Sequence, residues 1–249
     1  MQDLISLLDV KILYPFLLLL ARVVSFVAFM PVFGHPNVKP TIRMAFAFIL
    51  TTFLFPLIHT QTDISKIHFI SAMLGEISLG LIASMLFNIV FSAVQIIGDF
   101  VGYATSLSMA SLFDPLTGSQ EGVISKFLVI IATLIFFESG LYELTIVILA
   151  KSFSTIHLGT FDIFTYKGIA IAITEIKRMF AFAFAFAFPL FFISFVLDVY
   201  YGYGTKSMPS FSPFIVTFQL KFALIFLFIL LGMHSFVANF KDYFLSNLG

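Results

Sequence analysis

The chain has 249 residues, of which 60% are hydrophobic and 10% charged, and its mean hydropathy is +1.09. Soluble domains carry about 25% charged residues, so an ordinary soluble domain is excluded and an integral membrane protein, or part of an equally apolar assembly, is expected. Thirteen basic and thirteen acidic residues cancel, which offers no surface for nucleic acid. Cysteine is absent, excluding disulfides, thiol catalysis and Cys-ligated metals. Tryptophan is absent too, while there are 36 Phe, leaving tyrosine to supply any interfacial aromatic belt. The first residues carry Asp3 and Asp9 and no basic run, unlike a cleavable signal peptide.

Residues 12–33 form the first apolar segment, long enough to span a hydrocarbon core of about 30 Å. Arg22 lies near its middle. A guanidinium there costs roughly 2.5–3.5 kcal/mol on insertion scales, so it should face protein or water, and a structural ion pair is its simplest role. Pro31, Gly34, Pro36 and Pro40 then break the pattern, beside Lys39 and Arg43. Residues 44–58 are apolar for only 15 positions and contain Pro56, which is short for a span and suits one arm of a hairpin or a kinked helix. After a polar loop at 59–68, residues 69–98 give a 30-residue hydrophobic helix pattern with Glu76 between Gly75 and Gly80. That is too long for a simple span unless the helix tilts or leaves the bilayer.

The stretch 84–126 organises the rest. At 100° per residue, Ser84, Asn88, Ser92, Gln95, Asp99, Gly102 and Ser106 fall in a narrow polar sector. Gly98, Gly102, Ser106 and Ala110 form a small-xxx-small ladder that admits a second helix closely. The pattern stops at Asp114-Pro115, because the proline ring disfavours a helical residue before it, and Thr117-Gly118-Ser119 is turn chemistry. A polar-striped helix thus delivers an irregular segment from within apolar sequence. Such a segment must be buried in protein or line a water-filled path. Two readings follow: a stripe that packs against other helices with an ordinary solvated loop after it, or a gate.

Residues 127–150 form another apolar segment, interrupted by Glu138, Ser139, Gly140 and Glu143. The two carboxylates are about 140° apart on a helix and make no paired site. Residues 151–178 are more polar, and their second half could form a short amphipathic helix. The run FAFAFAFAF at 180–188 alternates as a strand would, yet an isolated strand has no partner in lipid, so the expectation is a helix bent at Pro189. Residues 198–212 (DVYYGYGTKSMPSFS) give a second irregular stretch, and 213–240 a closing hydrophobic helix with Gln219 and Lys221 near its start, followed by a short polar tail. Basic residues cluster near 39–43 and at 167–178, with three hydrophobic segments between. Three ordinary crossings would put the clusters on opposite sides, against the positive-inside rule, so one segment fails to cross or the hairpins do not span.

Three motifs in order carry a family resemblance. The run GDFVGYATSLSMASLFDPLTGS at 98–119 supplies Gly98, Asp99, Gly102, Phe113, Asp114, Pro115 and Gly118. Near the start stand Arg22, Pro31, Gly34, Pro40 and Arg43, and near the end Pro209, Phe214, Val216, Phe218, Leu220 and Lys221. Over essentially its whole length the chain resembles the FliR family of flagellar type III secretion export-gate proteins. It departs at Ser212, Thr217 and Gln219, where that family usually has Asn, Gly and Pro.

The resemblance implies an all-α fold of integral-membrane-type helical hairpins, without a β-sheet, assembling into a helical export gate. It implies one domain over 1–249, with N-terminal hairpins in 1–150 and a C-terminal hairpin in 151–249. The implied role is a structural, non-enzymatic subunit that forms with FliP and FliQ the channel for unfolded flagellar proteins. The place is the bacterial inner membrane at the flagellar basal body, with FlhB and FlhA as neighbours and energy from a separate ATPase and the proton gradient. The segment at about 112–122 corresponds to the family's plug, here Leu112, Phe113, Asp114, Pro115, Leu116, Thr117, Gly118 and Ser119. The stripe from Ser84 to Ser106, with Gly98, would pack against FliP-like helices. Hairpins raised off the membrane would account for the charge conflict. No cofactor is implied. Arg22, Glu76, Glu138, Glu143 and Lys221 are expected as buried assembly charges, since unpaired intramembrane charge is so costly.

Two other classes compete. An ion-coupled transporter would use the intramembrane acids and predicts an internal repeat, of which there is no convincing sign. An intramembrane aspartyl protease would need Asp99 and Asp198 to share a proton, but the residues around them do not match its motifs. No P-loop, His-Glu-x-x-His or Gly-x-Ser-x-Gly is present, and the five His are scattered.

Overall fold

The computed structural model describes residues 10–34, 38–58, 68–105, 122–161, 168–207 and 213–248. Its elements in chain order are α1 (Val10–Phe29), α2 (Pro40–Leu54) running into a 3-10 turn (Phe55–Leu57), α3 (Phe69–Ala104), α4 (Val123–Glu138), α5 (Leu141–Thr155), α6 (Gly168–Ser207) and α7 (Pro213–Leu248). No strand occurs among the described residues, so the all-α expectation holds. Five of these helices are long and apolar enough to cross a membrane, or six spans if α4 and α5 are counted as one broken span.

The chain packs as two compact units, Met1–Asn88 with Gly140–Ile173, and Ile89–Ser139 with Thr174–Gly249. They do not follow the N-terminal and C-terminal portions divided at 150. In the first unit, α1 and α2 run antiparallel: Phe16 meets Phe48 and Phe55 edge-on, while Phe33 stacks on Phe46. Lys39 and Pro40 start α2, the proline standing where a missing N–H costs nothing. Buried residues on α1 recur as Leu18, Leu19, Arg22, Val23 and Phe26, with Met30 just past its end, the three-to-four spacing of one inward face.

Helix α3 is 36 residues long, about 54 Å at 1.5 Å per residue, which exceeds the hydrocarbon thickness. Its residues 69–88 belong to the first unit and 89–104 to the second. Glycine allows close approach in both. In the first, a Cβ on Gly80 would overlap Ser25 Oγ and lie 2.5 Å from the Arg22 carbonyl oxygen. In the second, a Cβ on Gly98 would overlap the Ser125 backbone of α4. The expected ladder is thus half realised: Gly98 is a contact point, but nothing lies within 4 Å of a Cβ on Gly102, and Ser106 and Ala110 lie outside the described residues.

The alternating run at 180–188 is helical, as expected, and the helix shows why alternation is compatible with it. Steps of two residues advance about 200°, so the phenylalanines divide between two faces. Phe182 stacks on Tyr243 at 4.5 Å and Phe186 meets Phe236 edge-on, both on α7. Phe180, Phe184 and Phe188 are exposed, while Ala183 and Ala187 are buried. Two expectations are corrected here. Residues 168–178 of the separate amphipathic helix and 198–207 of the irregular stretch are both parts of α6, which runs unbroken over 40 residues from Gly168 to Ser207, while 208–212 lie outside the described residues. Gly202 and Gly204 each weaken a helix by about 1 kcal/mol, which does not end it; the described helix stops two residues before Pro209. The polar tail after 240 is likewise helical, as α7 continues to Leu248. Between α4 and α5 the break is at Gly140, held at φ 69°, a left-handed conformation that favours glycine.

These contacts predict a graded response to alanine along one helix. Gly80→Ala and Gly98→Ala should each destabilise the protein by about 1–3 kcal/mol through overpacking, read as a lowered thermal midpoint in detergent. Gly102→Ala, on the same helix, should leave the midpoint unchanged.

Candidate functional site

Arg22 is completely buried on α1, and each of its nitrogens has a partner. Nε donates to Glu76 Oε2 on α3 at 2.5 Å, Nη1 to Ser152 Oγ at 3.3 Å, and Nη2 to the Ile156 carbonyl at 3.1 Å. The guanidinium carbon stands 4.3 Å from the centre of the Phe153 ring, a cation–π geometry. Ile156 follows the last turn of α5, where carbonyls lack helical donors and attract a cation. Glu76 is also wholly buried. Its second oxygen accepts the Gly159 N–H at 2.7 Å, an amide presented by a turn in which Gly159 has φ 76°. The knot joins α1, α3 and the end of α5, and Gly80 brings α3 onto α1 one turn beyond Glu76.

The polar stripe divides by partner. In the first unit Ser84 is buried and bonds to its own helix at Leu81, while Asn88 Nδ2 donates to the Phe29 carbonyl at 2.6 Å and so closes the C-terminal end of α1. In the second unit Ser92, Gln95 and Asp99 are half-buried and Gly98 and Gly102 buried. Ser125 Oγ donates to the Gln95 carbonyl at 3.1 Å. Where α3 ends, the Ala104 carbonyl accepts from Ser194 Oγ of α6 at 2.6 Å, and Thr105 Oγ1 bonds back to Val101. Where α4 begins, Gly122 lies against Asp99: a Cβ there would stand 3.6 Å from Asp99 Oδ1. Negative charge beside the first turn of α4 is favourable. Both ends of the chain flanking 106–121 are therefore fastened within one unit, to α3 and to α6. Leu112, Phe113, Asp114, Pro115, Leu116, Thr117, Gly118, Ser119 and Ser106 lie outside the described residues.

The other expected charges separate. Lys221 is buried and its Nζ meets Asp198 Oδ1 at 2.5 Å, joining α6 to α7. An aspartate held by an ammonium is a poor member of a proton-sharing carboxylate pair. Glu138 and Glu143, expected among the buried charges, are both exposed. They flank the Gly140 break, where helix ends reach the surface of this chain. Glu143 lies in the first turn of α5, favourable for a carboxylate, and accepts the Tyr142 hydroxyl at 2.8 Å. No group of three or more metal-ligating side chains occurs among the described residues.

Several of these partners were not foreseen. Asp198 and Lys221 stand at near-equal distances either side of Pro209, a mirror placement that a hairpin reading could have used. Ser152 and Gly159 carry no sequence signal for Arg22 and Glu76, because their part in the knot depends on where α5 ends. Ser194, a lone hydroxyl in an apolar run, is a recoverable signal for a helix-end partner.

A multi-span helical membrane protein, with its polar groups knotted inside and a fastened segment after its long third helix, is the class these features define. Residues 13–246 match the model for bacterial export proteins, family 1, and the chain belongs to that family. It is 29% identical over 225 residues to the flagellar biosynthetic protein FliR of Bacillus subtilis (strain 168), covering 89% of this chain and 87% of that protein. The FliR of Aquifex aeolicus (strain VF5) is 26% identical over 225 residues, covering 90% and 86%, and that of Escherichia coli (strain K12) 22% identical over 204, covering 81% and 77%.

The knot predicts strong non-additivity. Arg22→Ala or Glu76→Ala alone should cost about 3–5 kcal/mol by stranding a buried charge, seen as loss of monodisperse protein in detergent. Arg22→Met with Glu76→Leu should recover most of the yield. A loss in the double variant equal to the sum of the two single losses would argue against a coupled pair.

Proposed function

We propose that the chain is a structural, non-catalytic subunit of the flagellar type III protein export gate. In this reading it forms with FliP and FliQ the channel through which unfolded flagellar proteins leave the cytoplasm, as one domain over its whole length. The setting is the inner membrane at the flagellar basal body, with FlhB and FlhA adjacent. The observation that carries the reading is the fastened stem: Gly98 against Ser125, Ser125 on the Gln95 carbonyl, and Ser194 on the Ala104 carbonyl hold the residues on either side of 106–121. A plug must be displaced by substrate without unravelling its support, and hydrogen-bonded anchors at both ends meet that need. Residues 112–122 are the plug in this reading. The outer part of the stripe, Ser92 and Gln95, faces FliP-like helices. Arg22, Glu76 and Lys221 serve assembly as paired charges rather than proton transfer, because every nitrogen of Arg22 and an oxygen of Asp198 are already engaged.

Removal of 114–119 tests the plug. The complex should still assemble with its partners, by size and by co-purification, and should conduct ions when reconstituted in planar bilayers. An assembled complex that stays as tight as the native one would overturn the assignment. A chain that purifies alone, without further small hydrophobic proteins, would overturn the gate reading as a whole.

A further inference from the structure

The second unit contains a cavity of about 260 Å³, bordered by all four of its helices. Its walls include Ile97 of α3, Leu128 of α4, Ala185 and Pro189 of α6, and Gly232 and Phe236 of α7, and none of the lining residues carries a charged or hydroxyl side chain. Two features of the sequence make the space. Gly232 has no side chain, and nothing lies within 4 Å of where its Cβ would be. Pro189 within α6 cannot donate to the carbonyl four residues earlier, and that residue is Ala185, on the same wall. The cavity opens to the surface on this side, where Ala185 is exposed and Gly232 half-buried.

We propose that this cavity is a lipid acyl-chain site. Three of its walls belong to the apolar helices long enough to cross a membrane; the proposal rests on the membrane setting proposed above, in which hydrocarbon chains are the apolar molecules most concentrated at its mouth. An apolar cavity of about 150 Å³ already holds a benzene-sized molecule and stays dry without one, so this one accommodates several methylenes. Each methylene withdrawn from solvent or from a poorly packed surface adds dispersion contacts with the lining. A polar headgroup finds no partner among the walls, so the site selects a chain and is indifferent to the head. Bound there, an acyl chain fills the gap between α6 and α7 that Gly232 and Pro189 leave open.

The test uses the full complex, or the full chain with its partners, in nanodiscs containing phosphatidylcholine with a diazirine in mid-chain. Illumination followed by peptide mapping should place adducts on residues 185–190 and 228–236. Gly232→Phe and, on the opposite wall, Ala185→Leu should each lower those adducts about tenfold, the loss expected when about two methylenes are displaced. Adducts on outward phenylalanines beyond these two stretches, such as Phe192 and Phe195, report general lipid contact and should not change. Co-purification of the partners and an unchanged elution volume show that each variant is folded. Absence of adducts at 228–236 in the complex would overturn the proposal, as would adducts that persist in both variants. Labelling that appears in the isolated chain and vanishes in the complex would assign the cavity to a partner's side chain instead.

Discussion

A guanidinium with no access to solvent is the constraint on which the first unit depends. Arg22 cannot stay in apolar surroundings unless its donors are met, and its partners come from positions 54, 130 and 134 residues away along the chain. Meeting them fixes the register of α1 against α3 and the point where α5 must stop. Apolar packing could not impose this, since one leucine face fits another in many registers and lipid competes with both. The energetic worth of the pair over a hydrophobic alternative is small or negative by general experience; its structural consequence is uniqueness of arrangement. Glu76 adds a second condition by taking the Gly159 amide, so the turn after α5 is set by the same charge.

The second unit reaches definition by another route. Its ion pair, Lys221 with Asp198, is half open on the carboxylate side, the aspartate side chain being 56% exposed. That pair tolerates the surface and asks less of its surroundings. Close backbone approach does more: α3 meets α4 at Gly98, and hydroxyls from Ser125 and Ser194 fill carbonyl valences there and at the end of α3. Aromatic rings occupy the remainder: Phe91 meets Phe136 and Phe240 edge-on, and Phe136 meets Phe244 likewise. Hydroxyl-to-carbonyl bonds of this kind contribute modestly one at a time, but each removes a polar group that lipid cannot satisfy.

How much of this was legible follows from the same physics. Helices were readable because hydrocarbon admits little else, and even FAFAFAFAF yielded to that argument. Their ends were read less well: glycines at 202 and 204 and the polar residues after 240 looked like breaks, whereas neighbouring turns carried the helix through. Arg22 and Glu76 were recognisable as requiring partners, since charge in apolar sequence always does. Which groups would answer was not recognisable, because Ser152, Ile156 and Gly159 are ordinary residues until α5 ends beside them. The small-residue ladder was half legible for a related reason. Spacing marks which positions permit close approach, and Gly98 uses that permission while Gly102 does not. At Gly80, outside the ladder, a helix approaches as closely.

The outer surface carries the last step. Only 17% of the windows in α6 and α7 is buried within the chain, against 50% in α3, and Phe188, Phe192, Phe195 and Leu231 stand exposed. Apolar area on that scale is not a surface for water. Apolar residues of this protein therefore stand both inside and outside, while Arg22, Glu76 and Lys221 are turned inward. Within such a molecule the hydrophobic effect does not distinguish core from exterior, so the few buried charges, hydroxyls and glycines carry nearly all the specification of its packing. That explains why a sequence so uniform in hydropathy can still define one arrangement: its information lies in the exceptions to its own composition.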